Sequence, residues 1–391
     1  MKMKKDSVYI YSKKQLDYRF NDHHPFNHVR LESTYDLLQS LQAITEQDVI
    51  APRLASDDEI ALVHQEDYIE AVKNASNGKI AQGYGLGTED TPIFPNMHHA
   101  AALIVGGTLQ AVDEVMEGRF KHALHLGGGL HHGFKAKASG FCIYNDSSIA
   151  IEYIRRKYDA RVLYVDTDAH HGDGVQWTFY DDPDVCTLSL HETGRYLFPG
   201  TGQVYEKGNG QGYGFSINIP LDAFTEDESF LQLYETAFRE VAEFFKPDVI
   251  ITQNGADAHF LDPLTHLCSS MKTYKKIPKI AHEIAHHCCN GKWIAVGGGG
   301  YDIWNVVPRA WSLIWLEMTK QTSSLSDTLP EAWIKKWQPY TSTPLIQTWE
   351  DEINSIPHIP RKAIISEKNA TTLEKALFHI RNEMRQSSSN D

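Results

Sequence analysis

The sequence predicts a single α/β domain, a mainly parallel central sheet with helices on both faces and an active site at the carboxyl ends of the strands. Three observations predict it. Short β-branched or apolar runs alternate with longer stretches of helical periodicity, the pattern of parallel pairing. The runs are apolar without strict alternation, as expected of strands covered on both faces. The segments that follow several of them are dense in Gly, His and Asp.

Taken in order, the runs that read as buried strands are residues 8–11, 123–126, 162–165, 185–190, 215–219, 249–252 and 293–296. Helical periodicity is read over residues 35–41, 98–116, 146–156, 230–245 and 273–289. From about residue 321 the character changes. A polar stretch at 322–327 is followed by scattered Pro330, Trp333, Trp337, Pro339, Pro344, Trp349, Pro357 and Pro360. The chain therefore divides into a domain over 1–320 and an irregular extension, 321–391, packed on it. A terminal helix is expected over 371–384 and a disordered end over 387–391. No internal repeat is seen.

Composition excludes several classes. Of 391 residues, 41% are hydrophobic and 23% charged, which suits a soluble globular chain. The net charge is −14 and there is no dense Lys/Arg block, so nucleic acid and anionic membrane are poor partners. Five cysteines, none in a CxxC pair, exclude a disulfide scaffold. No apolar run approaches the roughly 20 residues of a spanning helix. The basic start, residues 1–7, precedes an apolar stretch too short for a secretion signal. The expectation is a cytoplasmic enzyme with reduced thiols.

There are 20 histidines, many in doublets: His23-His24, His98-His99, His131-His132, His170-His171 and His286-His287. Imidazole serves both metal ligation and proton transfer. Five strand-end loops should converge on one edge, where an open parallel sheet binds ligands. They are Gly127–Gly133, Asp166–Gly174, the stretch from His191 to Gly202, Asn254–His259 and Gly297–Asp302.

Asp168-Ala169-His170 is a D-x-H at a strand end, with both side chains on one face. Asp257 arrives from another strand. Two carboxylates and one imidazole leave a fourth position for water, as in a catalytic zinc site; iron(II) would also suit the oxygen ligands. The plain alternative is strand-end side chains bonded to loop backbone. His131 and His132 can flank a bound water, each with an orienting partner on its other ring nitrogen, for which Asp166 and Asp173 are the candidates. As a lone pair, they would more simply cap a helix or fill a polar loop. Tyr301, after four glycines, is a candidate oxyanion donor or else a packed core tyrosine. No glycine run is followed by GK[ST], which excludes a P-loop.

The strings GGGLHHGFKAKASGFCIYND, YVDTDAHHGDGVQ, SLHETGRYLFPGTG, GADAHFLDPL and GGGGYDIWN, with DHHPFNHVRL and GLGTEDTPIF, resemble the zinc-dependent histone deacetylase family of the arginase/deacetylase superfamily. The resemblance covers about residues 8–320. It implies a deacetylase catalytic domain that hydrolyses N6-acetyl-lysine to lysine and acetate. It implies zinc held by Asp168, His170 and Asp257. His131 and His132 would be the paired histidines, oriented by Asp166 and Asp173 respectively, with His132 as the main base and acid and Tyr301 at the transition state. Phe141 and Phe198 would wall an acyl-lysine tunnel. Gly140 would accept the amide hydrogen bond, Leu264 would add an apolar surface and Asp90 would hold the substrate backbone at the rim. Arg30 would line an internal acetate channel. A structural potassium ion would take Asp166, Asp168, His170, Ser189 and Leu190.

The tail included, the chain is most similar to a bacterial branch serving acetoin utilization, which implies acetyl-CoA synthetase as the acetylated partner. Two departures leave the tunnel's detailed shape open: Leu197 where the family often has a second aromatic, and the stretch 133–138. An acetylpolyamine-type small-molecule amidohydrolase is the alternative, since acidity suits a cationic ligand. A catalytically silent binding module is a further one, although every catalytic position is occupied.

Overall fold

The computed structural model describes residues 5–79 and 83–388. Residues 1–4 of the basic start and 389–391 of the end lie outside the described residues. Among the described residues, eight strands form one sheet: β1 (Ser7–Ile10), β2 (Val49–Ile50), β3 (His122–His125), β4 (Val162–Asp166), β5 (Val185–Glu192), β6 (Ser216–Leu221), β7 (Val249–Gln253) and β8 (Trp293–Val296). Their order is β2-β1-β3-β8-β7-β4-β5-β6, and every pairing is parallel.

Both faces of the sheet are covered, and successive residues point to opposite cores. Tyr9, Leu124, Leu163, Val165 and Ile250 belong to one core, together with the helices Val29–Ser40, Asp227–Phe245, Met271–Cys289 and Val307–Met318. Val8, Ile10, Ala123, Val162, Tyr164, Val249 and Ile251 belong to the other, under Glu66–Ser76, Met97–Met116 and Asp146–Tyr158. Apolar side chains are thus needed on both faces, which explains strand runs without alternation.

The chain beyond residue 320 is more regular than its Pro/Trp pattern predicts. It contains the helix Glu331–Trp337 and a 27-residue helix, Lys362–Ser388. The second begins nine residues before the expected 371 and carries on through residues 387 and 388, because no Gly or Pro interrupts it. Leu373, Ala376, Leu377 and Ile380 bury one of its faces in the first core. Trp333 is buried and its indole N–H donates to the Ser33 carbonyl at 2.8 Å. Among the described residues, no helix is long and apolar enough to cross a membrane.

The strand order positions the site. β3, β8, β7 and β4 are consecutive neighbours in the middle of the sheet, although they are far apart in sequence. Their carboxyl ends lead into the segments bearing His131 and His132, Tyr301, Asp257, and Asp168 with His170, respectively.

Candidate active site

The loop after β3 is held by the start of the helix Asp146–Tyr158. The buried Asp146 carboxylate accepts the backbone N–H of Leu130 at 2.8 Å and of Gly129 at 3.1 Å, and the Thr108 hydroxyl at 2.5 Å. Asn145 donates through its side-chain amide to the carbonyls of His131 (3.1 Å) and Gly133 (2.9 Å). A carboxylate at a helix N-terminus is favoured by the helix dipole, and here it also fixes a loop.

That loop sets His131 and His132 with ring centroids 4.0 Å apart, both buried. Nδ1 of His131 lies 2.8 Å from Asp166 Oδ2, and Nδ1 of His132 lies 2.7 Å from Asp173 Oδ1. Each ring therefore keeps Nε2 free for chemistry. The Tyr164 hydroxyl donates to the same Asp166 oxygen at 2.9 Å. The two histidines differ electrostatically. Burial works against charge on His131, but Asp166 and Asp168 outweigh it and push the ring up to about 9. Burial and the neighbouring His131 push His132 down to about 4, leaving a neutral acceptor.

Asp168, His170 and Asp257 converge beside them, with one potential ligand atom from each lying within 4.8 Å of the others. Nδ1 of His170 stands 3.1 Å from Asp168 Oδ1 and 2.9 Å from Asp257 Oδ2. The remaining carboxylate oxygens are tied to backbone. Gly299 N–H donates to Asp168 Oδ2 at 2.5 Å, and Ala169 N–H to Asp257 Oδ1 at 2.9 Å. Position 299 admits only glycine, because a Cβ there would stand 2.1 Å from Asp257 Oδ2. Burial and the adjacent Asp168 raise the Asp257 carboxyl to about 6. Two buried carboxylates this close repel one another, and a shared proton or a cation between them relieves that repulsion. The donor set, two carboxylates and an imidazole, fits a divalent metal ion.

The aromatic residues frame this cluster. The Phe198 ring meets His132 edge to face at 5.0 Å and is 44% exposed, at the solvent side. Phe141 lies 6.0 Å from Tyr301, and Tyr301 lies 6.3 Å from His170. Gly140 has φ +50°, and a Cβ there would stand 2.5 Å from the His132 ring, so backbone approaches imidazole closely. Leu264 is partly exposed, and its N–H donates to Asp262 at 3.0 Å. Asp90 is exposed; its backbone carbonyl lies 3.2 Å from Nε2 of His24, whose ring packs on Phe141 at 4.6 Å. Arg30 is buried behind the site, between the rings of Phe26 and Trp311, and donates to the Gly300 carbonyl at 3.1 Å. Burial lowers its guanidinium to about 10, so it stays charged at neutral pH. Ser189 pairs with Asp166 in the β4–β5 register, and Leu190 follows it. The Ser189 hydroxyl lies 2.8 Å from Nδ1 of His191.

Several further residues support the site without carrying a sequence motif of their own. Tyr18 donates its phenol to the Phe141 carbonyl at 2.7 Å and accepts the Ile143 N–H at 3.1 Å. Asp262 accepts the backbone N–H of Tyr301 at 2.8 Å. Asn145 and Asp146 were legible in principle as a helix start, and Asp262 as an Asp-Pro turn; Tyr18 left no local signal. The assembled group can move protons on neutral and charged imidazoles beside a cation site, under a partly apolar mouth. That suits attack of water on an uncharged carbonyl compound.

Residues 24–318 match the histone deacetylase domain. The chain is 61% identical over 383 residues to the acetoin utilization protein AcuC of Bacillus subtilis (strain 168), covering 97% of this chain and 98% of that protein. It is 47% identical over 378 residues to the AcuC of Staphylococcus aureus (strain MSSA476), covering 96% of each. Among solved structures, an HDAC homolog complexed with SAHA superposes with a TM-score of 0.85 at 32% identity, covering 95% of this chain and 100% of that one. An HDAC homolog from Aquifex aeolicus gives 0.83 at 31% identity, covering 93% and 100%.

Proposed function

The chain belongs to the histone deacetylase family and is a hydrolase acting as a deacetylase, and on that premise we propose that it removes the acetyl group from N6-acetyl-lysine on a protein, giving lysine and acetate. The observation that carries this reading is the pair of buried histidines, each on its own aspartate, beside the Asp168, His170 and Asp257 cluster. Those three residues would hold zinc, with iron(II) as the other candidate; bound there, the ion supplies a Lewis acid for the acetyl carbonyl and acidifies water.

The protein's own groups do the rest. Nε2 of neutral His132 takes the proton of the attacking water, and Asp173 at Nδ1 steadies the imidazolium that forms. The same nitrogen then passes that proton to the departing lysine amine. His131 with Asp166 places a second imidazole, biased toward the charged form, against the reacting centre. Burial, with Asp257 and Asp168 nearby, pushes the Tyr301 phenol well up, so it keeps its proton and donates to the carbonyl oxygen as negative charge develops there. Phe141 and Phe198 exclude water and favour an uncharged acyl-lysine over a free ammonium group, whose desolvation is costly. Gly140 accepts the substrate amide N–H, Leu264 adds apolar contact, and Asp90 grips the substrate backbone. Arg30 lines the route by which acetate leaves. Asp166, Asp168, the backbone oxygens of His170 and Leu190 and the Ser189 hydroxyl would hold a potassium ion, which would steady the loop after β4.

Similarity to the AcuC proteins supports a place in acetoin and acetate use, with acetyl-CoA synthetase as the acetylated partner. Five unpaired cysteines accord with work in the cytoplasm. The test is hydrolysis of an acetyl-lysine peptide beside acetylated putrescine, with and without a chelator. Turnover of the peptide that chelation abolishes and zinc restores is expected. Preference for acetylputrescine would replace this substrate assignment with a small-molecule amidohydrolase.

A further inference from the structure

The histidine doublet His286-His287 plays no part in the chemistry above, yet His286 belongs to a second cluster. His122 opens β3, whereas His131 and His132 follow the other end of that strand. The cluster therefore lies at the amino edge of the sheet, opposite the active site. His282 and His286 are spaced i, i+4 on the helix Met271–Cys289 and share one face.

We propose that His122, His282 and His286 form a binding site for a divalent transition metal ion of the zinc class, separate from the catalytic centre. One ring nitrogen from each lies within 4.8 Å of the others. Nε2 of His286 stands 3.3 Å from Nε2 of His122. Two imidazole ligands at the usual zinc–nitrogen length of about 2.0–2.1 Å in a tetrahedral shell would be separated by about 3.3 Å. The three rings are inclined to one another, with centroids 4.7, 5.1 and 4.8 Å apart and none of the three pairs stacked face to face.

The partners of the rings point the same way. Nδ1 of His282 lies 3.1 Å from a Glu317 carboxylate oxygen, which fixes the tautomer and leaves the lone pair on Nε2. That Nε2 is buried and has no hydrogen-bond partner. A buried polar nitrogen without a partner is costly, and a cation on His282 Nε2 removes that cost. Packing on Trp293, 5.9 Å from both His122 and His282, accounts for where the rings sit. It does not account for the unpartnered Nε2 or the 3.3 Å approach. Three imidazoles without a carboxylate ligand suit zinc, copper or nickel rather than magnesium or calcium. His286 is exposed, so an ion can enter from solvent and a fourth position stays open to water. Bound there, the ion would tie the end of the helix Met271–Cys289 to β3.

The test uses the full chain, stripped with a chelator and titrated with zinc by calorimetry, with metal content checked by elemental analysis. Two equivalents are expected in the wild type, one in His286→Ala and one in Asp257→Asn. His286→Ala should keep its deacetylase turnover once zinc is restored. Because His286 is exposed, its variant should fold, and circular dichroism checks that. Cobalt(II) loaded into Asp257→Asn should show the absorption of a low-coordinate site with nitrogen ligands, lost in the Asp257→Asn, His286→Ala double variant. The proposal is overturned if the wild type and His286→Ala take up the same amount of zinc, or if that double variant retains the cobalt spectrum. An Asp257→Asn protein holding two equivalents would instead count against the catalytic metal assignment alone.

Discussion

Asp351, in the segment beyond residue 320, accepts the Nε2–H of His259 at 3.0 Å, and His259 stands two residues after Asp257. The tautomer is set from the other side, where Nδ1 of His259 accepts the Leu261 N–H at 3.2 Å. The Asp351 carboxylate also takes the Arg309 guanidinium at 2.9 Å and the Met271 N–H at 2.8 Å. All the side chains in this group are buried. The C-terminal segment thus clamps the loop that follows β7, and it bears on the active site without touching it.

This clamp should show as a pH-dependent stability. Burial alone would raise the Asp351 carboxyl, but His259, Arg309 and the Met271 amide hold it at about 2 against an ordinary 3.8. A carboxyl whose folded pKa lies below its unfolded value stabilises the fold above the unfolded pKa, and that contribution is lost as pH falls through the folded one. The window is therefore pH 4 to 2, and the shift corresponds to about 2 kcal/mol. In urea titrations the stability gap between wild type and Asp351→Asn should narrow by that amount across this window. A gap that stays constant from pH 6 to pH 2 would remove the clamp's electrostatic origin.

Tyr18 should matter through Phe141. Phe141 has φ +69°, a conformation costly for a bulky residue, and the Tyr18 phenol bridges its carbonyl to the Ile143 N–H. Tyr18→Phe leaves the half-buried Phe141 carbonyl and the buried Ile143 N–H without that partner, at a cost of about 1–3 kcal/mol. We expect lower resistance to urea and a KM for acetyl-lysine peptide raised by several fold, with kcat changed less. Unaltered stability and KM would mean that neighbouring packing alone holds Phe141 in place.

Much of the fold was legible in the sequence because the central strands are buried on both faces and leave continuous apolar runs. β2 escaped notice because it has only two residues. The helix Val307–Met318 escaped because every residue except Glu317 is buried, so no polar face marks its period. The strand-end loops were legible because Asp, His and Gly crowd directly after the strands. The residues alone left Asp166 and Asp173 as two candidates for two histidines; which faces which came only with the resemblance, and the geometry pairs them in the same order. Tyr18 and Asp351 were invisible for a different reason. Each acts on a loop 90 or more residues away in sequence, and only the packed chain brings it there.

The Tyr301 backbone is fixed beside the cluster, since its N–H donates to the buried Asp262. A donor that acts only as the carbonyl becomes an oxyanion should affect kcat far more than binding. Tyr301→Phe should lower kcat by about 10²–10³ with KM nearly unchanged. Wild-type kcat in a folded Tyr301→Phe protein would take the phenol out of the mechanism.

Asp90 separates a protein substrate from a small one. A peptide offers backbone N–H groups on both sides of the acetyl-lysine, and an acetylpolyamine offers none. The Asp90 side chain is exposed, while its backbone carbonyl lies on His24, which packs against Phe141. The loop is thus anchored through its backbone, and the Gly87 N–H bond to the Thr91 carbonyl at 2.9 Å closes the turn. The carboxylate is left available for a partner. A charge-assisted hydrogen bond is worth roughly 1.5–3 kcal/mol. Asp90→Ala should therefore cut kcat/KM for an acetylated peptide by about ten- to a hundred-fold. A minimal acetyl-lysine analogue without flanking amides should lose much less, because it never made those bonds. Equal losses on both substrates, with folding intact, would mean that the carboxylate shapes the loop rather than gripping a peptide, and the case for a protein substrate would lose its most discriminating residue.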